Sequence, residues 1–192
     1  FLKKDKTIIY ASVEPEDYKI IIDTINNRSN MNHIIVPHEI NEKAIWNLKK
    51  NLHQKNVLLS KFNMKRCNAS ILIVDVFGIL KKLYQYSDIA YVGGGFGRGV
   101  HNTLEPAAYG NFMLFGPNHA HFPETTFFIE NFVAISIKTK ENFQERLNYI
   151  IKNGGGKESV LKITLPFLKN QKQDLKSIIN EIEYDLNKKP NT

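Results

Sequence analysis

Cysteine is nearly absent from this sequence of 192 residues, in which Cys67 is the single one. A lone thiol excludes an internal disulfide and a cysteine-based zinc site, and its polar surroundings predict no activated nucleophile. No stretch approaches the roughly 18 consecutive apolar residues of a membrane-spanning helix. The lysine-rich first residues also lack the apolar segment of a signal peptide. The composition therefore predicts a domain of a reducing compartment such as the cytoplasm.

The sequence also lacks a basic segment interleaved with aromatic residues. Its net charge of +7 comes from 26 Lys and Arg against 19 Asp and Glu, with the lysines scattered and denser near the ends. No nucleic-acid-binding module is recognisable, so we expect no nucleic-acid partner. A basic surface near anionic lipid or a phosphorylated acceptor and an ordinary solvated surface are both compatible with this charge.

The length and the hydrophobic content of 42% fit one well-filled core, so residues 1–192 are predicted to form a single domain. The chain begins without Met and enters a strand almost at once, and we interpret it as an excised domain. Short β-branched runs alternate with helical patterns, which predicts a Rossmann-like parallel sheet with helices on both faces. The predicted strands are 7–11, 33–37, 57–60, 71–76, 89–93, 112–115 and 132–137. The first predicted helix begins at Pro15. The other predicted helices cover 42–52, 78–86, 103–109, 121–131, 140–152, 158–169 and 171–188.

Polar residues follow several of the predicted strands, at the edge where an open parallel sheet binds its ligands. These clusters are Ser12 with Glu14, Pro37-His38-Glu39, Asp75 to Gly78, Gly93 to Glu105, and Gly116 to His119.

The most informative of these clusters joins a buried strand to glycines 93, 94, 95, 97 and 99 and then to a helix. Glycines let the backbone approach a ligand and adopt positive φ angles, although a simple tight turn also explains them. Asn102 and Glu105 form an i, i+3 pair that we expect in the first turn of the helix. Glu105 could therefore reach a pair of ribose hydroxyls.

The segment 101–107, His-Asn-Thr-Leu-Glu-Pro-Ala, resembles a motif of the Kdo transferases. These enzymes move 3-deoxy-D-manno-octulosonic acid (Kdo) from its CMP donor onto a lipid A precursor. Their C-terminal domain carries Gly-Gly-His-Asn-Pro-Leu-Glu-Pro-Ala, in which Thr103 here replaces a proline and Val100 a glycine. Four further segments are similar to family motifs in the same order, and the resemblance covers nearly the whole chain. They are Ala-Ser-Val-Glu-Pro-Glu-Asp at 11–17, Val-Pro-His-Glu at 36–39, Asp-Val-Phe-Gly-Ile-Leu at 75–80 and Gly-Pro-Asn-His at 116–119.

The resemblance implies the C-terminal, donor-binding half of a GT-B glycosyltransferase from a Gram-negative bacterium. It implies that CMP-Kdo is the donor and that no cofactor and no metal are used. The implied donor-binding residues are Ser12, Pro37, His38, Gly78, Ile79, Leu80, Gly94, Gly95, Asn102 and Glu105. It further implies that an N-terminal domain, absent here, supplies the catalytic carboxylate, binds the lipid A precursor and touches the cytoplasmic face of the inner membrane. No catalytic residue is expected in this chain, which alone would be inactive.

The resemblance also suggests roles for particular residues. Glu105 would hold the ribose, and His38 would stack on or hydrogen-bond the cytosine or its phosphate. The amides of Gly78, Ile79 and Leu80 would bind a phosphate at the start of a helix, although Ile79 replaces a glutamate of the family. Ser12 is either a donor contact or a helix cap, because the tryptophan of its motif is replaced by glutamate here.

Two histidines close together, His119 and His121, raise the question of a metal. No carboxylate or cysteine stands at ligand spacing around them, which favours a structural loop or a sugar contact. Two other functions stay open. The chain could be part of another GT-B enzyme, such as a UDP-sugar transferase or 2-epimerase, or a non-catalytic nucleotide-binding or protein-interaction domain. The number of Kdo units, the acceptor's fine structure and the oligomeric state do not follow from the sequence.

Overall fold

The computed structural model describes residues 6–63, 68–154 and 156–171. Cys67 and most of the predicted helix 171–188 lie outside the described residues. No helix within these ranges combines the length and the apolar character that crossing a bilayer requires. The strands are β1 Thr7–Val13, β2 Asn32–Pro37, β3 Asn56–Leu58, β4 Ile71–Ile73, β5 Ile89–Val92, β6 Phe112–Phe115 and β7 Ala134–Ser136. The helices are α1 Pro15–Asn27, α2 Glu42–Lys50, α3 Leu80–Leu83, α4 Leu104–Ala108, α5 Pro123–Glu130 and α6 Lys140–Asn153, with a further helical stretch over 157–171.

The seven strands form one sheet in the order β3-β4-β2-β1-β5-β6-β7, and every neighbouring pair is parallel. The chain leaves β1 toward β2 on one side and later returns to place β5 on the other. The boundary between β1 and β5 is therefore the point where the strand order reverses, and a crevice opens there beyond the carboxyl ends of the strands.

Two apolar clusters cover the two faces of the sheet, as the alternation of side chains along each strand requires. Ile8 and Tyr10 of β1 belong to the first cluster, together with residues of α1, α2, α5 and α6. Ile9 and Ala11 belong to the second cluster, which is smaller and includes Tyr84. The predicted Rossmann-like α/β fold with helices on both faces is confirmed.

Helix α1 shows how local sequence starts these elements. Pro15 occupies the first turn, where its missing N–H costs nothing and its fixed φ fits the helix. Ile21 and Ile25 are fully buried one turn apart and pack against the first cluster. This helix therefore lies against the sheet beside the end of β1.

Several predicted boundaries are wrong. The predicted strand 57–60 becomes β3 followed by a 3-10 turn over Leu59–Lys61, and the predicted strand 71–76 ends at Ile73. The predicted helix 78–86 is reduced to α3 and a 3-10 turn over Tyr84–Tyr86. The strand predicted from 132 begins at Ala134, because Phe132 adopts a left-handed backbone with φ 57° as the chain leaves α5.

Candidate functional site

A cleft of about 390 Å³ lies beyond the carboxyl ends of β1, β2 and β5. Its lining comes from the residues that follow β1, from the start of α1 and α2, from the turn after β2 and from the loop after β5. The lining residues are Val13, Glu14, Pro15, Glu16, Tyr18, His38, Glu39, Ala44, Gly97 and Arg98. The predicted placement of polar residues at one edge of the sheet is thus confirmed for the ends of β1, β2 and β5.

The loop after β5, which we call the glycine loop (residues 93–99), is tied to α1 by the buried carboxylate of Asp17. Asp17 Oδ1 accepts a hydrogen bond from the hydroxyl of Tyr91 at 2.7 Å, and Oδ2 accepts from the backbone N–H of Gly94 at 2.9 Å. Oδ2 also accepts from the N–H of Glu14 at 2.9 Å. Burial, followed by the adjacent Asp17 charge, raises the pKa of Tyr91 far above its ordinary value, which keeps the phenol a donor. One side chain therefore joins the ends of β1 and β5.

The first three glycines of this loop are buried and serve close packing. A Cβ on Gly93 would lie 2.4 Å from the carbonyl oxygen of Ser12, and one on Gly95 would lie 2.6 Å from the amide nitrogen of Gly116. Gly94 has a φ of 84°, which an L side chain rarely adopts. These positions require glycine because a Cβ there would clash with backbone atoms of neighbouring segments. A donor contact by Gly94 and Gly95 stays a prediction.

Glu14 and His38, which line the cleft, come together with His101. His101 Nε2 lies 3.0 Å from Glu14 Oε1. The ring of His38 stacks on the ring of His101, with centroids 4.7 Å apart and planes inclined by 13°. His38, at the carboxyl end of β2, is exposed, and its N–H donates to the carbonyl of Val13 at 2.9 Å. The structure thus places the predicted donor residue His38 in contact with His101.

Ser12 and Pro37 lie where the sequence placed them, at the ends of neighbouring strands. Ser12 has a left-handed backbone with φ 51°, and the register between β1 and β2 shifts between Tyr10 and Val13. After this irregularity Val13 pairs with Pro37. The strained backbone turns the chain from β1 into α1, whose N-cap is Glu14. Ser12 is therefore not the helix cap, and its donor contact stays a prediction.

Asn102 and Glu105 are not arranged as predicted. Helix α4 begins at Leu104, so Asn102 precedes it, and the expectation that both residues share its first turn is wrong. Asn102 Oδ1 accepts from the N–H groups of Leu104 at 2.9 Å and of Glu105 at 3.3 Å, which occupies this oxygen in starting the helix. The half-buried Glu105 lies near Tyr84, whose pKa is raised by burial and then by the Glu105 charge. The ribose role of Glu105 stays a prediction.

The segment after β4, which we call the Asp75 turn (residues 74–79), differs from the expected phosphate loop. Gly78 is exposed with φ 81°, and this left-handed backbone delays the helix to Leu80, so the predicted helix start at Gly78 is wrong. Asp75 accepts from the N–H of Ser60 at 2.9 Å and from its hydroxyl at 2.5 Å. Burial raises the pKa of Asp75, but these two hydrogen bonds, together with a backbone hydrogen bond at Asp75 and the charge of Lys61, outweigh it and hold the pKa below its ordinary value. The phosphate role of Gly78, Ile79 and Leu80 stays a prediction. The helix that follows them, α3, is only four residues long.

His119 and His121 lie in the loop after β6. His119 Nδ1 lies 3.1 Å from the hydroxyl of Thr125, and burial lowers the pKa of His119. His121 is exposed. Within the described residues, the group whose ligand atoms come together is instead Glu14, His38 and His101.

The roles of Asp17, Glu14 and His101 were not predicted from the sequence. The sequence signal for Asp17 was its place in the 11–17 motif.

Comparison with protein-family models finds no match. The 3-deoxy-D-manno-octulosonic acid transferase of Rickettsia conorii is 26% identical over 189 residues, which cover 94% of this chain and 41% of the relative. A bifunctional glycosyltransferase/methyltransferase of Fusobacterium nucleatum is 30% identical over 92% of this chain and 26% of its own length. The chain thus spans less than half of the curated relatives that it matches.

Among solved structures, the C-terminal CMP-Kdo binding domain of WaaA from Acinetobacter baumannii has the same fold. It superposes with a TM-score of 0.72 at 20% identity and covers 87% of this chain and 91% of that domain. The resemblance to Kdo transferases seen in the motifs is therefore confirmed over most of the chain, and its fold is that of such a C-terminal domain.

Proposed function

We propose that this chain is the donor-binding half of a Kdo transferase and that its ligand is CMP-Kdo. The observation that carries the proposal is the similarity to curated Kdo transferases, which extends over 94% of the chain. The cleft at the β1–β5 boundary supports it, because open α/β sheets bind nucleotides at such a point.

In this proposal the nucleotide lies across the carboxyl ends of the strands. Glu105 accepts hydrogen bonds from the ribose hydroxyls, and His38 contacts the cytosine or its phosphate. The amides of the Asp75 turn and the first residues of α3 offset the charge of the leaving phosphate, so transfer needs neither a metal nor a cofactor. The donor is then held by this chain, and the reaction is completed by groups that a second domain supplies.

The complete enzyme is proposed to glycosylate a lipid A precursor in lipopolysaccharide biosynthesis. A carboxylate of an N-terminal domain would deprotonate the acceptor hydroxyl, and CMP would leave from an oxocarbenium-like centre. That domain would also place the enzyme at the cytoplasmic face of the inner membrane. The chain alone is expected to transfer no Kdo to a lipid A precursor, because it cannot position the acceptor. Turnover by the chain alone would contradict this division, and His38, Glu39 and His119 would then be the first residues to substitute.

Calorimetric titration of the chain with CMP, UMP and GMP tests the donor assignment. We expect CMP to bind more tightly than UMP or GMP. Equal affinity for all three nucleotides would remove the CMP assignment.

Substitution of Glu105 tests where the ribose lies. Charge-assisted hydrogen bonds contribute roughly 1.5 to 3 kcal/mol each, so Glu105→Gln should weaken CMP binding at least several-fold. Glu145→Gln, on the exposed side of α6, is the matched control and should leave the dissociation constant unchanged. Thermal unfolding of both variants would confirm that the fold is retained. Unchanged CMP binding by Glu105→Gln would place the ribose elsewhere.

A second candidate is another nucleotide-sugar glycosyltransferase or a 2-epimerase of the same architecture. The similarity to a bifunctional glycosyltransferase/methyltransferase supports this second candidate. A preference for UMP or UDP over CMP in the same titrations would support it. A non-catalytic role would follow if no nucleotide bound even after an N-terminal domain of a relative was supplied.

A further inference from the structure

We propose that Glu14, His38 and His101 form a binding site for a divalent transition metal ion of the Zn²⁺ type. Each residue offers one ligand atom, and the three atoms all lie within 4.8 Å of one another. His38 is also the proposed nucleotide contact, but metal binding is tested without nucleotide, so either proposal can fail while the other stands.

The three side chains are held by fixed backbones of three separate segments. The N–H of Glu14 donates to Asp17 Oδ2 at 2.9 Å. The N–H of His38 donates to the carbonyl of Val13 at 2.9 Å, and the N–H of His101 donates to the carbonyl of Gly93 at 3.0 Å. The ends of β2, β1 and β5 are adjacent in the sheet, so the group is positioned by the core of the fold.

The donor set indicates which ions would bind. Two imidazoles and one carboxylate are typical ligands of Zn²⁺ in a tetrahedral site whose fourth position is taken by water. Imidazole also suits Co²⁺, Ni²⁺ and Cu²⁺, whereas Mg²⁺ and Ca²⁺ prefer sites made of oxygen atoms. The site should therefore select transition metals over Mg²⁺.

Binding requires one movement that the structure permits. The rings of His38 and His101 are stacked, and an ion cannot lie in the planes of both rings in that arrangement. His101 already directs Nε2 at Glu14 Oε1, 3.0 Å away, where an ion would replace the hydrogen bond. His38 is exposed, so its ring is free to rotate toward the same point.

The charge of the cleft favours a cation. Three carboxylates line it, those of Glu14, Glu16 and Glu39, against the single guanidinium of Arg98. Gly97 leaves room beside the cluster, because a Cβ there would lie 3.0 Å from Glu14 Oε2. A bound divalent ion would offset the excess of negative charge.

The test is titration of the tag-free, metal-free chain with Co²⁺, followed by displacement with Zn²⁺. The Cys67→Ser background removes the one thiol as a competing ligand. We expect one ion per chain, visible ligand-field absorption of tetrahedral Co²⁺, and loss of that absorption when Zn²⁺ is added. Mg²⁺ in excess should not displace the Co²⁺.

Three variants and one control identify the ligands. We expect a loss of more than about tenfold in Co²⁺ affinity for each of His38→Ala, His101→Ala and Glu14→Gln. Loss of a residue that only hydrogen-bonds a metal ligand already lowers metal affinity roughly 10- to 100-fold. His53→Ala is the control, because His53 is exposed in the loop that precedes β3 at the opposite edge of the sheet. Circular dichroism would show that the variants stay folded. Absence of stoichiometric binding, or equal affinity of His38→Ala, His101→Ala and the parent chain, would overturn the proposal.

Discussion

The glycine loop and the Asp75 turn both follow a buried strand and both contain glycine, yet they are built differently. The glycine loop is enclosed: Gly93 to Gly95 are buried, and Asp17 joins the loop to α1. The Asp75 turn is more open, since among the described residues a Cβ on Gly78 would meet nothing within 4 Å, and Asp75 itself is only partly buried. The same residue types thus serve packing in one loop and a change of chain direction in the other.

Removal of the Asp17 carboxylate should have the largest effect. Asp17→Ala would leave the N–H of Gly94 and the hydroxyl of Tyr91 without their acceptor inside the protein. Unsatisfied buried groups cost about 1–3 kcal/mol each, so we expect a loss of about 3–5 kcal/mol in the free energy of unfolding. Urea denaturation measures it. A loss below about 1 kcal/mol would show that the carboxylate does not hold the loop.

Gly95→Ala should have the next largest effect. The added Cβ would lie 2.6 Å from the amide nitrogen of Gly116, which is backbone and cannot move aside cheaply. Overpacking of this kind costs about 1–3 kcal/mol. Gly156→Ala is the control, because a Cβ there would meet no atom within 4 Å among the described residues beyond its own chain neighbours. Equal stability of the two variants in thermal unfolding would contradict the tight packing of the glycine loop.

Gly78→Ala should destabilise by less, and for another reason. The space is open, but φ is 81°, and an L residue in this region costs about 1–2 kcal/mol. Gly78→Asn should be milder than Gly78→Ala, since asparagine adopts left-handed conformations more readily. Denaturation curves of both variants would separate strain from crowding. Equal losses in the two variants would argue against backbone strain at this position.

Asp75→Asn should have the smallest effect on stability, within roughly 0.5 kcal/mol at neutral pH, because the side chain is only partly buried at the surface. The folded-state pKa of Asp75 lies below its unfolded value, so its contribution is present above the unfolded pKa. It is lost as the pH falls through the folded value. NMR titration of the carboxyl carbon would detect this, and a pKa at or above the ordinary range would contradict the Ser60 hydrogen bonds.

The alternation of strands and helices could be predicted because buried parallel strands are short apolar runs, as in β5 and β6. The helix expected from Gly78 could not, since its start depends on a left-handed backbone that glycine permits but does not require. The cluster of Glu14, His38 and His101 was also out of reach. Its members are far apart in the chain and meet because β2, β1 and β5 are neighbours, an order that residue patterns do not specify.

The bonds of Asp17 also bear on the order of folding. Its partners Tyr91 and Gly94 lie 74 and 77 residues later in the chain, so both contacts close long loops. Such contacts form after local ones, because the entropy of loop closure must be overcome first. α1 and the β1–β2 pair can assemble early, but the crevice cannot exist until β5 docks beside β1. We therefore expect a nascent chain released before residue 94 to lack the proposed nucleotide site, however much helix it has gained.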